Sequence, residues 1–528
     1  MEEQYQMKDA LCAWVRTEQT CSTEAASDFG MPDYYGDIHR ILRVQADAHL
    51  DGIYPNATEM EYEGAVVFRI LFLTEDERLQ CADFTVDFKG SCPYGAELGE
   101  ERDVRVTVQT EQVNCRVLGP RKINLKAKIL CHMTEHFRRC VTPKVIGAKT
   151  IAEEAALQCD TQTIPVMEYR QLEAKDCAFR EEIELDGSLP PIGNLLCCDA
   201  LLHFTDAHFT EDQVIGKGNA HINLLYEIAG TDETQYISLS RAFPISYSME
   251  NPGLDTDYSC RAIPSLRVIH GEAQENSYGE KRIVALDLEY DLLFACMRNI
   301  APEVTRDVYS TACACESNYV TLTVPRLCGV YHTNFSVNES KTRAEIGMEE
   351  SAHNVLMLSA EPKLTQTRYD AERGRMLFEG TAQVVVLLTS DHGGTLTDVT
   401  FQVPLRCEVP GIFTQTSPET TLDCRVIAAG GRLDSTNLYV NLEVALDFDV
   451  VSSDKETILD AVTPLSGQPY TDSPATMTLY FPQEGERLWE IAKHYHTTRR
   501  EIAKVNNLTE EDTVSTGVLL ITHEAGNV

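Results

Sequence analysis

The sequence predicts a mainly β protein: three tandem antiparallel, sandwich-like modules followed by a small βααβ domain. Three observations carry that prediction. One long pattern occurs three times before residue 462. Each copy is followed by a stretch in which apolar and polar side chains alternate strictly, the period of a pleated strand with one covered face. Beyond residue 476 the apolar period lengthens to about 3.6, that of a helix.

A chain of 528 residues suits three or four domains at about 150 residues each. Hydrophobic residues make up 43% and charged residues 24%, a globular balance that argues against a disordered, collagen-like or membrane-spanning chain. The longest apolar runs resemble Val384 to Leu388, far short of the roughly 20 residues of a membrane helix. With 82 acidic and 45 basic side chains the net charge is −37. Such a field repels phosphate backbones, so nucleic acid is not an expected partner. The opening MEEQYQMKDALCAW is acidic and leads into no apolar h-region, so an intracellular location is expected. The 18 cysteines show no C-x-x-C spacing and are expected to be small buried hydrophobes with free thiols.

Taken in order, residues 1–30 form an N-terminal segment outside the repeats, and the modules occupy 31–150, 151–310 and 311–462. Arg40 to Phe72 aligns without a gap on Asn194 to Tyr226, and Val355 to Leu388 aligns with two extra residues before its glycine. Gly64, Gly218 and Gly380 each precede a strand-like run, and Gly95, Gly253 and Gly411 punctuate the units further on. The alternation is cleanest late in each unit. Val440, Leu442, Val444, Leu446, Phe448 and Val450 share one face, as do Val284, Leu286, Leu288, Tyr290, Leu292 and Phe294. Residues 463–476, rich in Pro, Ser, Thr and Gly, form a linker.

The paired strands ILRVQA, LLCCDA and VLMLSA, with EYEGAVVFRILF, GKGNAHINLLY and FEGTAQVVVLL, resemble the SPOCS domain of bacterial spore-coat and spore-envelope proteins. The resemblance covers roughly residues 30 to 460.

His132, Met133, Thr134, Glu135 and His136 spell H-x-x-E-H, a zinc-protease signature that needs both histidines one helical turn apart. Here Ile123, Leu125, Ala127, Ile129, Cys131 and Met133 alternate with polar residues, so the motif continues a strand. Four strand residues span about 13 Å, too far for two rings to share one ion. Both histidines are expected on the solvated face of Lys126 and Lys128. No phosphate loop, dinucleotide fingerprint or nucleophile elbow occurs. No catalytic residue, metal ligand or cofactor is assigned.

In the domain at 477–523, Leu488, Ile491, Ala492 and Tyr495 share a helical face, and Thr498 with Glu501 forms a capping box that starts a second helix near Arg499, with Ile502 and Val505 inward. Met477 to Phe481 and Val518 to Ile521 read as flanking strands. Gly485, the L-W-x-I-A core (Leu488, Trp489, Ile491, Ala492), the Thr497 and Thr498 start, the Asn506, Asn507, Leu508 exit and the closing L-L-I strand resemble a LysM domain. That resemblance implies a groove for N-acetylglucosamine glycans or a partner at Gly485, Glu486, Arg487, Leu488, Asn507 and Leu508. Glu486 and Arg487 replace the short side chains that ordinarily cap helix one. Lys493, Arg499, Arg500 and Lys504 form a basic cluster suited to an acidic partner. Trp489 is expected to pack rather than to form a glycan platform.

SPOCS-like repeats followed by one LysM are similar to SipL-type spore-envelope assembly proteins. That similarity implies a non-enzymatic scaffold in the mother-cell cytoplasm at the forespore surface. Its LysM would contact a coat-basement morphogenetic ATPase, and its repeats other spore-coat proteins. The alternative is a LysM that binds peptidoglycan or another N-acetylglucosamine glycan.

Overall fold

The computed structural model describes residues 4–6, 11–94, 102–146, 156–230, 234–348, 352, 354–390, 396–411, 419–470, 477–483, 485–509, 513–514 and 517–522. In the first unit β2 (Leu11–Gly30), β7 (Lys122–Val141) and β6 (Arg102–Gly119) form one antiparallel sheet, while β3 (Ile38–Pro55), β4 (Glu59–Thr74) and β5 (Leu79–Pro93) form another. The central strands β7 and β4 turn their alternating apolar residues inward. Ile123, Leu125 and Ile129 thus meet Phe68, Ile70 and Phe72 in one core. Two short strands, β1 (Gln4–Gln6) and β8 (Lys144–Ile146), flank the unit and pair with each other.

The same succession recurs twice. The second unit comprises β10 (Val166–Glu184), β11 (Ile192–Phe209), β12 (Gln213–Ile228), β13 (Tyr236–Glu250), β14 (Ser259–Glu275) and β15 (Lys281–Ile300), flanked by the mutually paired β9 (Leu157–Thr163) and β16 (Glu303–Ser310). Its sheets are β11-β12-β13 and β10-β15-β14. The third unit comprises β17 (Cys313–Thr342), β18 (Asn354–Asp370), β19 (Arg375–Thr389), β20 (Leu396–Pro410), β21 (Glu419–Leu433) and β22 (Asn437–Pro469). Its sheets are β18-β19-β20 and β17-β22-β21, and the outer halves of β17 and β22 serve as its flanking ribbon.

Two boundaries differ from the sequence reading. Leu11–Gly30 is an integral strand of the first unit, paired with β7 along its whole length. Residues 463–469 of the expected linker continue β22, with Thr463 opposite Glu316 and Pro464 opposite Cys315. A proline at the end of an edge pairing forfeits little, so the Pro- and Gly-rich composition did not break the strand. Linker residues 471–476 and Gly95 lie outside the described residues. The free-thiol expectation also has an exception, because Cys12 and Cys140 face each other across β2 and β7 and form a disulfide.

The three units close around a common axis. Leu71, Leu225 and Leu387 each lie seven positions beyond the aligned glycine and pack in one cluster with Leu42, Cys197 and Leu396. The flanking ribbons meet as well: Val145, Val308, Leu459 and Val462 share a cluster, and β8 pairs in parallel with β22.

At the C-terminal end, β23 (Met477–Tyr480) pairs with β26 (Leu519–Thr522), and a second small pairing joins β24 (Glu486–Arg487) to β25 (Thr513–Val514). Between them stand α1 (Leu488–His494) and α2 (Arg499–Asn506). The capping box expected at Thr498 is complete: its hydroxyl accepts from the Glu501 amide, and the Glu501 carboxylate accepts from the Thr498 amide. Val505, expected inward, is exposed, and Ala503 takes the buried position beside Ile502. The eight-residue helix packs only one narrow stripe.

Candidate functional site

The C-terminal module is seated on the ribbon formed by β9 and β16, and that seat gathers Arg487, Lys493, Arg499 and Trp489 of the residues singled out by sequence. Asp160 on β9 is almost fully buried and accepts from Arg487 Nη2 at 2.7 Å and Arg499 Nη1 at 3.4 Å. Asp307 on β16 accepts from Lys493 Nζ at 2.6 and 2.8 Å, from Trp489 Nε1 at 2.8 Å and from the Tyr319 hydroxyl at 3.0 Å. Partial burial pushes the Asp307 carboxyl up, but the hydrogen bonds from Lys493 and Trp489 outweigh it and hold the group below the usual carboxylate range. Tyr309, two residues along the same strand, inserts into the module core among Leu488, Trp489 and Ile491. Its ring meets Trp489 edge-on at 4.8 Å, and its hydroxyl donates to the Thr497 carbonyl at 2.6 Å.

These contacts divide the basic cluster. Lys493 and Arg499 face the ribbon, with the Arg499 guanidinium also lying 5.0 Å over the Trp489 ring. Arg500 and Lys504 face solvent. Trp489 is buried as a packing residue. Asp160, Asp307 and Tyr309 were not singled out by sequence. Their only signal is a carboxylate and an aromatic two residues apart, Asp307 and Tyr309, in a short strand beside a proline.

The implied groove has two unlike lips. Gly485 adopts φ +83°, a turn conformation that suits glycine. Glu486 reaches back to accept from the Tyr480 hydroxyl at 2.8 Å and the Gln483 amide at 3.0 Å, fixing the loop. Arg487 occupies the N-cap of α1 without a side-chain cap bond and spends its guanidinium on Asp160. Leu488 is buried in the core. On the other lip Asn507 takes the left-handed conformation that ends α2, exposed to solvent, with Leu508 half-buried beside it. Asn506 fastens that lip by donating to the Ile502 and Leu520 carbonyls at 2.8 Å each.

The H-x-x-E-H residues lie on β7, as their alternation requires, yet the two histidines have different surroundings. His132 stays near the surface, 3.1 Å from the Thr20 hydroxyl. His136, expected on the solvated face, is instead buried where the second unit covers the end of β7, its ring stacked on Tyr169 at 3.7 Å. Burial first, and then the nearby Arg16 and Arg105, lower its pKa to about 3. Glu135 points to the other face, accepts from Thr17 at 3.3 Å and pairs with Arg102. Among the described residues no group of three His, Cys, Asp or Glu side chains is placed to hold a metal ion.

Between the units lies a cavity of about 1980 Å³, walled by β3, β11 and β18. Arg69 spans the seam, bonding both Asp83 oxygens at 3.0 and 2.9 Å and the Cys198 carbonyl at 2.9 Å, and pairing with Asp199 of the second unit. Asp47 faces the same cavity and is open to it; enclosure by the surrounding walls first, and then the Asp199 carboxylate, raise its pKa to about 6.

Residues 37–118 match the family model described as SipL, SPOCS domain. The matched stretch runs from the start of β3 to the end of β6. No curated protein and no solved structure compared with the chain matches it. Among the described residues no helix is long and apolar enough to cross a membrane.

Proposed function

We propose that the protein is a non-enzymatic assembly adaptor of the bacterial spore envelope. In this reading all three β units are SPOCS modules and residues 477–523 are a LysM domain. The observation that carries it is the SPOCS match over β3 to β6, together with the recurrence of that strand succession in the two later units. Three rigid units around one axis present a broad surface to other coat proteins, while the tethered module contacts a coat-basement morphogenetic ATPase. Coupling several weak contacts on one chain raises their effective concentration and gives durable attachment.

The test is a fluorescent fusion of the full chain followed through sporulation, with capture of bound proteins from mother-cell extracts. A ring at the forespore surface and recovery of a coat-basement protein are expected. Diffuse fluorescence would sink the reading. Retention on purified peptidoglycan, lost in Asn507→Ala and without a protein partner, would replace it with glycan anchoring at the open lip of the groove.

A further inference from the structure

We propose that β9 and β16 form an intramolecular latch: Asp160 and Asp307 occupy the basic face of the C-terminal module in place of an acidic protein segment, and must be displaced before that face takes a partner. The latch rests on the docking role proposed above and adds its regulation.

The seat combines three ion pairs with two aromatic contacts, Tyr309 against Trp489 and Tyr470 stacked on His496. Arg487 and Arg499 converge on Asp160, and Lys493 and Trp489 on Asp307. Among the described residues, Tyr309 alone enters the module's hydrophobic cluster from outside residues 477–523. The module otherwise has its own core of Leu488, Trp489, Ile491, Ala492, Ile502 and Leu519, with α2 tied to β26 through Asn506. The three ion pairs leave each basic partner between about a quarter and a half exposed, so salt screens them and loosens the seat. Opening frees Arg487, Lys493 and Arg499 from their carboxylates, beside the exposed Arg500. It also frees the lip of the groove that Arg487 forms. The occupant such a face fits is an extended acidic segment with two carboxylates and a neighbouring tyrosine, the pattern that Asp160, Asp307 and Tyr309 present.

The experiment compares the full chain with the Asp160→Asn, Asp307→Asn double variant by amide hydrogen exchange and by binding of a fluorescein-labelled oligoglutamate peptide at low salt. Exchange within residues 488–506 is expected to rise about tenfold or more while β12 and β19 stay protected, since only a local opening has become easier. Peptide affinity is expected to rise by about tenfold, because the competing carboxylates are gone. The charge-exchanged pair Asp307→Lys with Lys493→Asp should restore protection. Unchanged exchange, or equal peptide affinity in both proteins, would overturn the latch. Should the double variant lose protection throughout, the wild-type chain decides alone: added sodium chloride must raise exchange in 488–506 selectively, and a salt-independent profile rejects the proposal. A protein that latches this way but stays away from the forespore loses the adaptor reading and keeps the latch; one that localises with unaltered exchange loses only the latch.

Discussion

His136 is a neutral imidazole held inside the protein, with one ring nitrogen lacking a partner and two arginines nearby. Its folded pKa of about 3 lies below the ordinary 6.5, so the unfolded chain takes up the proton first. Its contribution is therefore complete above pH 6.5 and shrinks as pH falls towards 3, by about 1.4 kcal/mol for each pH unit. Urea unfolding at pH 7, 6 and 5 should show that slope, and His136→Phe should lessen it by one proton. Asp47 carries the opposite sign. Its folded pKa is raised from 3.8 to about 6, so the penalty from its charge is full above pH 6 and fades as pH falls from 6 towards 3.8. Asp47→Asn should stabilise the protein at pH 7 and leave it unchanged at pH 4. Because the side chain faces the cavity rather than packed atoms, screening lowers the gain to about 1 kcal/mol. Calorimetry at the two pH values checks it.

Among the strands, the repeated glycine has a steric cause. The strand paired beside it, β3, β11 or β18, bulges at Leu50/Gly52, Phe204/Asp206 and Leu364/Gln366 respectively. The bulge brings a carbonyl oxygen so close that a Cβ on Gly64, Gly218 or Gly380 would stand 2.1, 2.0 or 2.3 Å from it. Gly218→Ala must shift backbone and should cost about 2 kcal/mol or more, read as a lower midpoint in denaturant. That glycine was visible in the sequence, as was the alternation of β7, β15 and β22, because central strands covered on one face need an unbroken apolar row. The strand β2 was not visible. It is an edge strand, and its inward positions include Cys21, Thr23, Ala25 and Ser27, small residues that satisfy packing without an apolar signature. Capping and helical period disclosed α1 and α2, since both signals are local. The seat on Asp160 and Asp307 was hidden because it joins residues 182 and more positions apart, and charge in an acidic chain gives no hint of which carboxylate is used.

At the scale of the molecule, the sequence reading treats the units as beads, each with its own core, and the structure joins them. The sign was a lapse in the alternation: Ile70, Leu71, Phe72 and Leu73, or Val386, Leu387 and Leu388, are apolar on both faces, which a strand needs only when both faces are covered. Leu71, Leu225 and Leu387 supply the outward half of those runs and meet at the axis. Polar bonds cross the same seams, with Asp447 of the third unit accepting from His203 of the second at 3.1 Å and from His332 of its own at 2.9 Å. Units bound this way unfold together, because opening one exposes the leucines of all three. Leu225→Ala removes the middle contact without touching the core of the second unit, which is built from its neighbours Leu224 and Tyr226. A truncation of a buried leucine costs about 2–5 kcal/mol, and here the loss falls on coupling between units. Calorimetry should then show the single transition of the wild-type chain broadening or dividing, with the ratio of van't Hoff to calorimetric enthalpy falling below one. If the transition merely moved to lower temperature and kept its shape, the axis would be a surface contact and the ribbons would be what couples the units.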